Sequence, residues 1–96
     1  MSPRAPLRPS VAAATAPRVL AVVPALNEAD VIADTVTHLY HLEAVDMVAV
    51  VDDGSADGTA RAAGGAGAFV LRSPRRVGKG RALEGAIERL LRAAAA

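Results

Sequence analysis

Along the chain, short runs of β-branched and small apolar residues alternate with longer segments whose apolar positions recur every three or four residues. "RVLAVV" (18–23) is the first such run and reads as a buried strand. "NEADVIADTVTHLYHL" (27–42) follows, with Ile32, Val36, Leu39 and Tyr40 at helical spacing. Asn27 stands where an N-cap belongs, and Glu28 and Asp30 fall in the expected first turn, the end of a helix that favours acids. "DMVAVV" (46–51) is a second strand. A short helix is expected over Asp57–Ala63, stopped by Gly64 and Gly65. "AFVLR" (68–72) is a third strand, and a turn at Pro74 leads to a third helix over Lys79–Arg92 with Leu83, Ile87, Leu90 and Leu91 on one face.

Strand–helix alternation with near-continuous apolar strands predicts an α/β fold, a parallel sheet covered on both faces. Right-handed crossovers restrict the topology, and the expected arrangement is a Rossmann-like three-stranded sheet in the order 3-2-1. Residues 1–17 carry four of the six prolines together with Ala, Ser and Arg, the composition of a disordered leader. The domain organisation expected is a leader over 1–17, one folded unit over 18–92 and a tail over 93–96. Three strands are few for a sheet, so the pattern reads as the first half of a larger fold, with a fourth strand expected to dock on the free edge of the first.

Composition narrows the chemistry. Ala supplies nearly half of the 52% hydrophobic residues, so the core is thin for its apolar count. One Phe, one Tyr and no Trp argue against a stacking platform for single-stranded nucleic acid. The absence of Cys excludes disulfides and thiolate metal sites. The longest apolar stretch, 11–26, is cut by Pro17, Arg18 and Pro24, so no membrane segment is expected, and a cytoplasmic location is the default. The net charge of +1 conceals a sorting. Residues 27–60 hold eight acids and no Lys or Arg, whereas 72–92 hold seven Lys or Arg against Glu84 and Glu88. Either the two segments are solvated faces of opposite sign, or basic groups meet an anionic ligand beside acids with another task.

Three unusual stretches, "PALNE" (24–28), "DDGS" (52–55) and "GKG" (78–80), each follow a predicted strand or its turn. In a parallel sheet those strand ends share one edge, where open α/β sheets bind ligands. Each stretch also has a structural reading: Pro24 as a strand end, Asp52 and Asp53 as turn formers, Ser55 and Asp57 as caps, "GKG" as an ordinary loop, and Arg72, Arg75, Arg76, Lys79 and Arg81 as a solvated edge. His38 and His41 belong near a helix C-terminus, where the dipole favours them, and carry no catalytic role. In the functional reading, a carboxylate at a strand end accepts from the imide N–H of a uracil-type base or from a guanine edge. Gly54 lets the backbone pass close to the ligand, and Lys79 at a helix start meets a diphosphate. A P-loop is excluded because Gly80 stands where Ser or Thr must follow the Lys, and the first turn lacks GxGxxG. A calcium loop beginning at Asp53 would need Glu at its twelfth position, which is Gly64.

"VVPALNEADVIADTV", "VAVVDDGSADGTARAA" and "GKGRALEGAI" together resemble the N-terminal half of family 2-like inverting glycosyltransferases of the GT-A fold. The "PALNE" and "GKG" pair is similar to the glucosyl-3-phosphoglycerate synthase branch. The resemblance covers 18 to about 92. It implies a site for a nucleoside diphosphate sugar, UDP- or GDP-linked. Pro24, Ala25, Leu26, Asn27 and Glu28 would line the nucleoside pocket, with Glu28 near the ribose or base. Asp53 would bind the base, Asp52 would support the turn, and Lys79 would approach the base or diphosphate. The resemblance further implies a divalent metal, Mg2+ or Mn2+, held by an Asp-x-Asp motif on a later strand, and a later acidic base on the acceptor hydroxyl. No Asp or Glu follows Glu88, so no metal ligand or catalytic residue is assigned within the chain. The expected function is a donor-binding glycosyltransferase fragment. The alternatives are a non-catalytic nucleotide-binding module or subunit completed by another chain, and a basic domain that binds nucleic acid through 72–92.

Overall fold

The computed structural model describes residues 19–73 and 75–95. The leader expected over 1–17 lies outside them. The elements run β1 (Leu20–Ala25), α1 (Ile32–His41), β2 (Met47–Asp52), α2 (Thr59–Gly65), β3 (Phe69–Arg72) and α3 (Lys79–Ala95). The strands form one parallel sheet with β2 in the middle, the expected order read from either edge. Val48–Val51 are wholly buried because β2 is flanked by strands on both edges and by helices on both faces. Side chains alternate across the sheet. Val48 and Val50 pack with Ile32, Val36 and Tyr40 of α1 and Ala63 of α2, whereas Val51 packs with Ala82 and Ala86 of α3.

The boundaries depart from the pattern where backbone chemistry overrides it. Pro24 does not end β1 but lies inside it, paired with Val51. An edge strand tolerates a residue without an N–H. Asn27 is not a helix cap. Its φ of +53° is left-handed, a conformation Asn adopts more readily than most residues, and α1 starts only at Ile32 after a turn in which the Val31 and Ile32 amides donate to the Glu28 carbonyl at 3.0 and 2.9 Å. Gly64 and Gly65 belong to α2 itself. The stop is Gly67, at φ +101°, whose amide donates to the Gly64 carbonyl at 3.0 Å while the Ala68 amide donates to the Ala63 carbonyl at 3.1 Å. This is the Schellman arrangement, which needs a left-handed residue after the helix. The α3 helix continues to Ala95, beyond the expected stop at Arg92. It meets the sheet through Ala82 and Ala86, with Leu83 partly covered, and leaves Ile87 (45%) and Leu91 (65%) exposed. The expected apolar face of Leu83, Ile87, Leu90 and Leu91 is therefore not the one that meets the sheet; its small-residue flank, Ala82 and Ala86, faces the strands.

Tyr40 joins the layers. Its hydroxyl donates to the Gly67 carbonyl at 2.8 Å and accepts from the Val48 amide at 3.2 Å, so one buried side chain ties α1 to β2 and to the turn before β3. Among the described residues, no helix is long and apolar enough to cross a membrane.

Candidate functional site

The register brings the strand ends level. Ala25 pairs with Asp52, and Asp52 with Arg72. The segments after β1, β2 and β3 therefore leave the sheet side by side at its carboxyl edge, and the side chains of the "DDGSADGT" stretch bind them together. The Ser55 hydroxyl accepts from the Asn27 amide at 2.8 Å, the Thr59 hydroxyl from the Glu28 amide at 2.9 Å, and Asp57 Oδ2 from the Ala29 amide at 3.2 Å. Three consecutive amides of the β1–α1 segment are thus satisfied by side chains of the β2–α2 loop and of Thr59, the first residue of α2. In return, Asn27 Oδ1 accepts from the Ala56 amide at 2.8 Å. Asp57 Oδ1 also accepts from the Thr59 amide at 3.0 Å and from the Thr59 hydroxyl. The hydroxyl bond is the main reason the Asp57 carboxyl lies below its ordinary 3.8, since hydrogen bonds to the charged form favour it.

Asp52 is fully buried and works beneath the loop rather than in a cavity. Its Oδ1 accepts from the Ser55 amide at 3.0 Å, and its Oδ2, which makes no hydrogen bond, faces Arg72 Nε at 3.5 Å. Arg72 also donates to the Ser55 carbonyl at 2.8 Å. One member of the basic run is therefore spent on the turn.

Asp53, 4% exposed, engages the third segment. Its Oδ1 accepts from the Val77 amide at 2.8 Å and its Oδ2 from the Gly78 amide at 2.9 Å. Gly54 is the position where the sequence suggests the backbone passes close to a ligand. Its close neighbour is instead protein backbone. With φ at +77°, a Cβ there would sit 2.6 Å from the Arg76 nitrogen and 2.7 Å from the Arg75 carbonyl carbon.

Above these anchors lies an open cleft of about 280 Å³, lined by Pro24, Ala25, Leu26, Glu28, Asp53, Arg76, Gly78 and Lys79. Six of the eight residues singled out from sequence meet there. Asn27 and Asp52 do not line it, being turned to Ala56 and to Ser55 and Arg72. The cleft adds Arg76 and Gly78, which belong to the basic run and to "GKG". Thr59 had no signal beyond its place after the acidic turn. His38 and His41 are exposed on α1, each with Nδ1 2.8 Å from the carbonyl four residues back.

The carboxylates present do not suit a divalent cation. Asp52 is buried against Arg72, both oxygens of Asp53 accept backbone amides, and among the described residues no group of three or more His, Asp or Glu is placed to hold a metal.

The sequence model for "Glycosyl transferase family 2" matches residues 20–91. The chain belongs to this family. Among solved structures, a mycobacterial protein is 41% identical, with a TM-score of 0.58 over 74% of this chain and 27% of its own. Glucosyl-3-phosphoglycerate synthase from Mycobacterium tuberculosis is 40% identical at the same TM-score, over 74% of this chain and 29% of its own. It has been solved with Mn2+, uridine diphosphate and glucosyl-3-phosphoglycerate, and also with phosphoglyceric acid. The family 2 chain described here spans less than a third of the length of these structures and has the α/β arrangement of the GT-A fold over the part it matches. No curated protein matched.

Proposed function

We propose that the cleft binds the nucleotide part of a nucleoside diphosphate sugar, UDP- or GDP-linked, and that the chain provides the donor-binding half of an inverting glycosyltransferase. The observation that carries this reading is the meeting of "PALNE", "DDGS" and "GKG" residues around one cleft at the carboxyl edge of the sheet. Edges of this kind are where open α/β sheets take ligands. Family membership and the uridine diphosphate held by the 40% identical synthase support the same reading. In it, Pro24, Ala25 and Leu26 form the apolar side of the nucleoside pocket, Glu28 takes the ribose or base, and Lys79 meets the diphosphate. Asn27 and Asp52 contribute by holding the loops. The full-length family would add Mg2+ or Mn2+ to stabilise the leaving diphosphate. Since the residues of this cleft do not suit a metal, binding rather than turnover is the direct test.

Calorimetric titration of the chain with UDP and GDP should show one site for at least one of them. Lys79→Ala should weaken it about ten- to a hundred-fold, the worth of one charge-assisted hydrogen bond. Failure of both nucleotides to bind, or binding indifferent to both Lys79→Ala and Glu28→Ala, would overturn the proposal.

A further inference from the structure

The segment between β3 and α3 is fixed at four successive residues by two neighbours in the "DDGS" turn. The missing side chain of Gly54 lets the backbone of Arg75 and Arg76 lie against it, and the two carboxylate oxygens of Asp53 each hold one amide, of Val77 and of Gly78. Both buried oxygens are thereby hydrogen-bonded, as buried polar atoms need to be. What this fixed backbone presents to the cleft is two cations three positions apart, Arg76 and Lys79. Both are exposed, and neither forms an ion pair among the described residues. Arg72, by contrast, is already committed to Asp52 and the Ser55 carbonyl.

From this arrangement we infer that residues 75–79 are an anion-binding arm of the cleft. In it, Arg76 contacts the diphosphate of the donor together with Lys79, and Asp53 is a positioning residue that acts on the ligand through the arm rather than by touching the base. The inference rests on the nucleotide reading above and goes beyond it by assigning Arg76 and reassigning Asp53. A guanidinium offers a planar fork that matches two phosphate oxygens, which the point charge of Lys79 does not. The fork is useful only if its backbone is held still, and the Asp53 and Gly54 contacts hold it.

The test uses the full chain, followed by NMR titration with UDP, uridine and inorganic pyrophosphate, and by amide exchange at Val77 and Gly78. Arg76 is exposed, so Arg76→Ala leaves the fold intact. It should weaken UDP and pyrophosphate by a similar factor, roughly tenfold or more, and leave uridine unchanged. Arg76→Lys should recover only part of the loss. Asp53→Asn, which replaces one acceptor oxygen with a donor, should weaken UDP and pyrophosphate alike and speed exchange at both amides. If Asp53→Asn weakens uridine as much as UDP and spares pyrophosphate, Asp53 reads the base and the inference is wrong. Normal UDP and pyrophosphate binding by Arg76→Ala, or a wild-type chain that binds UDP but no pyrophosphate, also overturns it while leaving the nucleotide reading intact. A wild-type chain that binds no nucleotide removes both.

Discussion

At Gly54 the chain turns through φ +77° with the backbone of residues 75 and 76 pressed against it. The left-handed conformation alone costs a side-chain-bearing residue about 1–2 kcal/mol, and a methyl here would also push rigid backbone rather than a pliable side chain. Gly54→Ala should therefore lower stability in urea titration by at least that amount and loosen Val77 and Gly78. A variant as stable as wild type would mean the 75–76 segment yields easily. Asp57 is a residue-scale case of a different kind. Its folded carboxyl lies below 3.8, through the Thr59 hydroxyl first and the Ala29 and Thr59 amides after it, with desolvation opposing. A depressed acid stabilises the fold above its unfolded value and loses that contribution as pH falls through the folded one. The stability gap between wild type and Asp57→Ala should thus be full above about pH 4 and close progressively at lower pH. A gap that stays constant through the acid range would remove the carboxylate from the explanation.

Among the elements, α1 is held to the sheet by packing of Ile32 and Val36 and by the two hydrogen bonds of the Tyr40 hydroxyl. Tyr40→Phe keeps the ring and leaves the Val48 amide without its acceptor, which should cost about 1–3 kcal/mol. Thermal or urea unfolding measures it, and a neutral result would show that water replaces the hydroxyl. Much of this level could be read from the chain. The β-branched runs located all three strands within two residues, and the parallel order followed from the alternation of elements. What escaped was decided by tertiary partners. Asn27 looked like a cap because its neighbours are acids, yet its amide is taken by Ser55, 28 positions on. Nor does anything local announce the Val77 and Gly78 amides that Asp53 meets. The convergence of the three motifs was legible because strand ends in a parallel sheet share an edge. Arg76 stands among five basic residues whose separate fates, Arg72 spent on Asp52 and the Ser55 carbonyl and Arg76 and Lys79 lining the cleft, depend on the fold.

In the molecule as a whole, the two faces of the sheet are unequally built. Among the described residues, the face carrying α1 and α2 has a cluster of eight buried residues, whereas the α3 face has three, two of them alanines, so α3 is the more weakly held helix. Local opening free energies follow such differences in buried contact. Native-state amide exchange should therefore show α3 opening before α1 and β2. The same helix begins at Lys79, on the rim of the cleft. If nucleotide is held by the arm that leads into α3, any opening that unravels this end must first release ligand. At free ligand of about 100 times Kd, that linkage adds about 2.7 kcal/mol to the opening, roughly a hundredfold slowing of exchange. The slowing should appear in the first turns of α3 and in the Val77 and Gly78 amides. It should be smaller in α1, which is already held by the larger core. Uniform protection of both helices without ligand would refute the inequality of the two faces. Slowing confined to the loops after β1 and β2, with α3 unaffected, would place the nucleotide away from Lys79 and separate the weak helix from the function of the cleft.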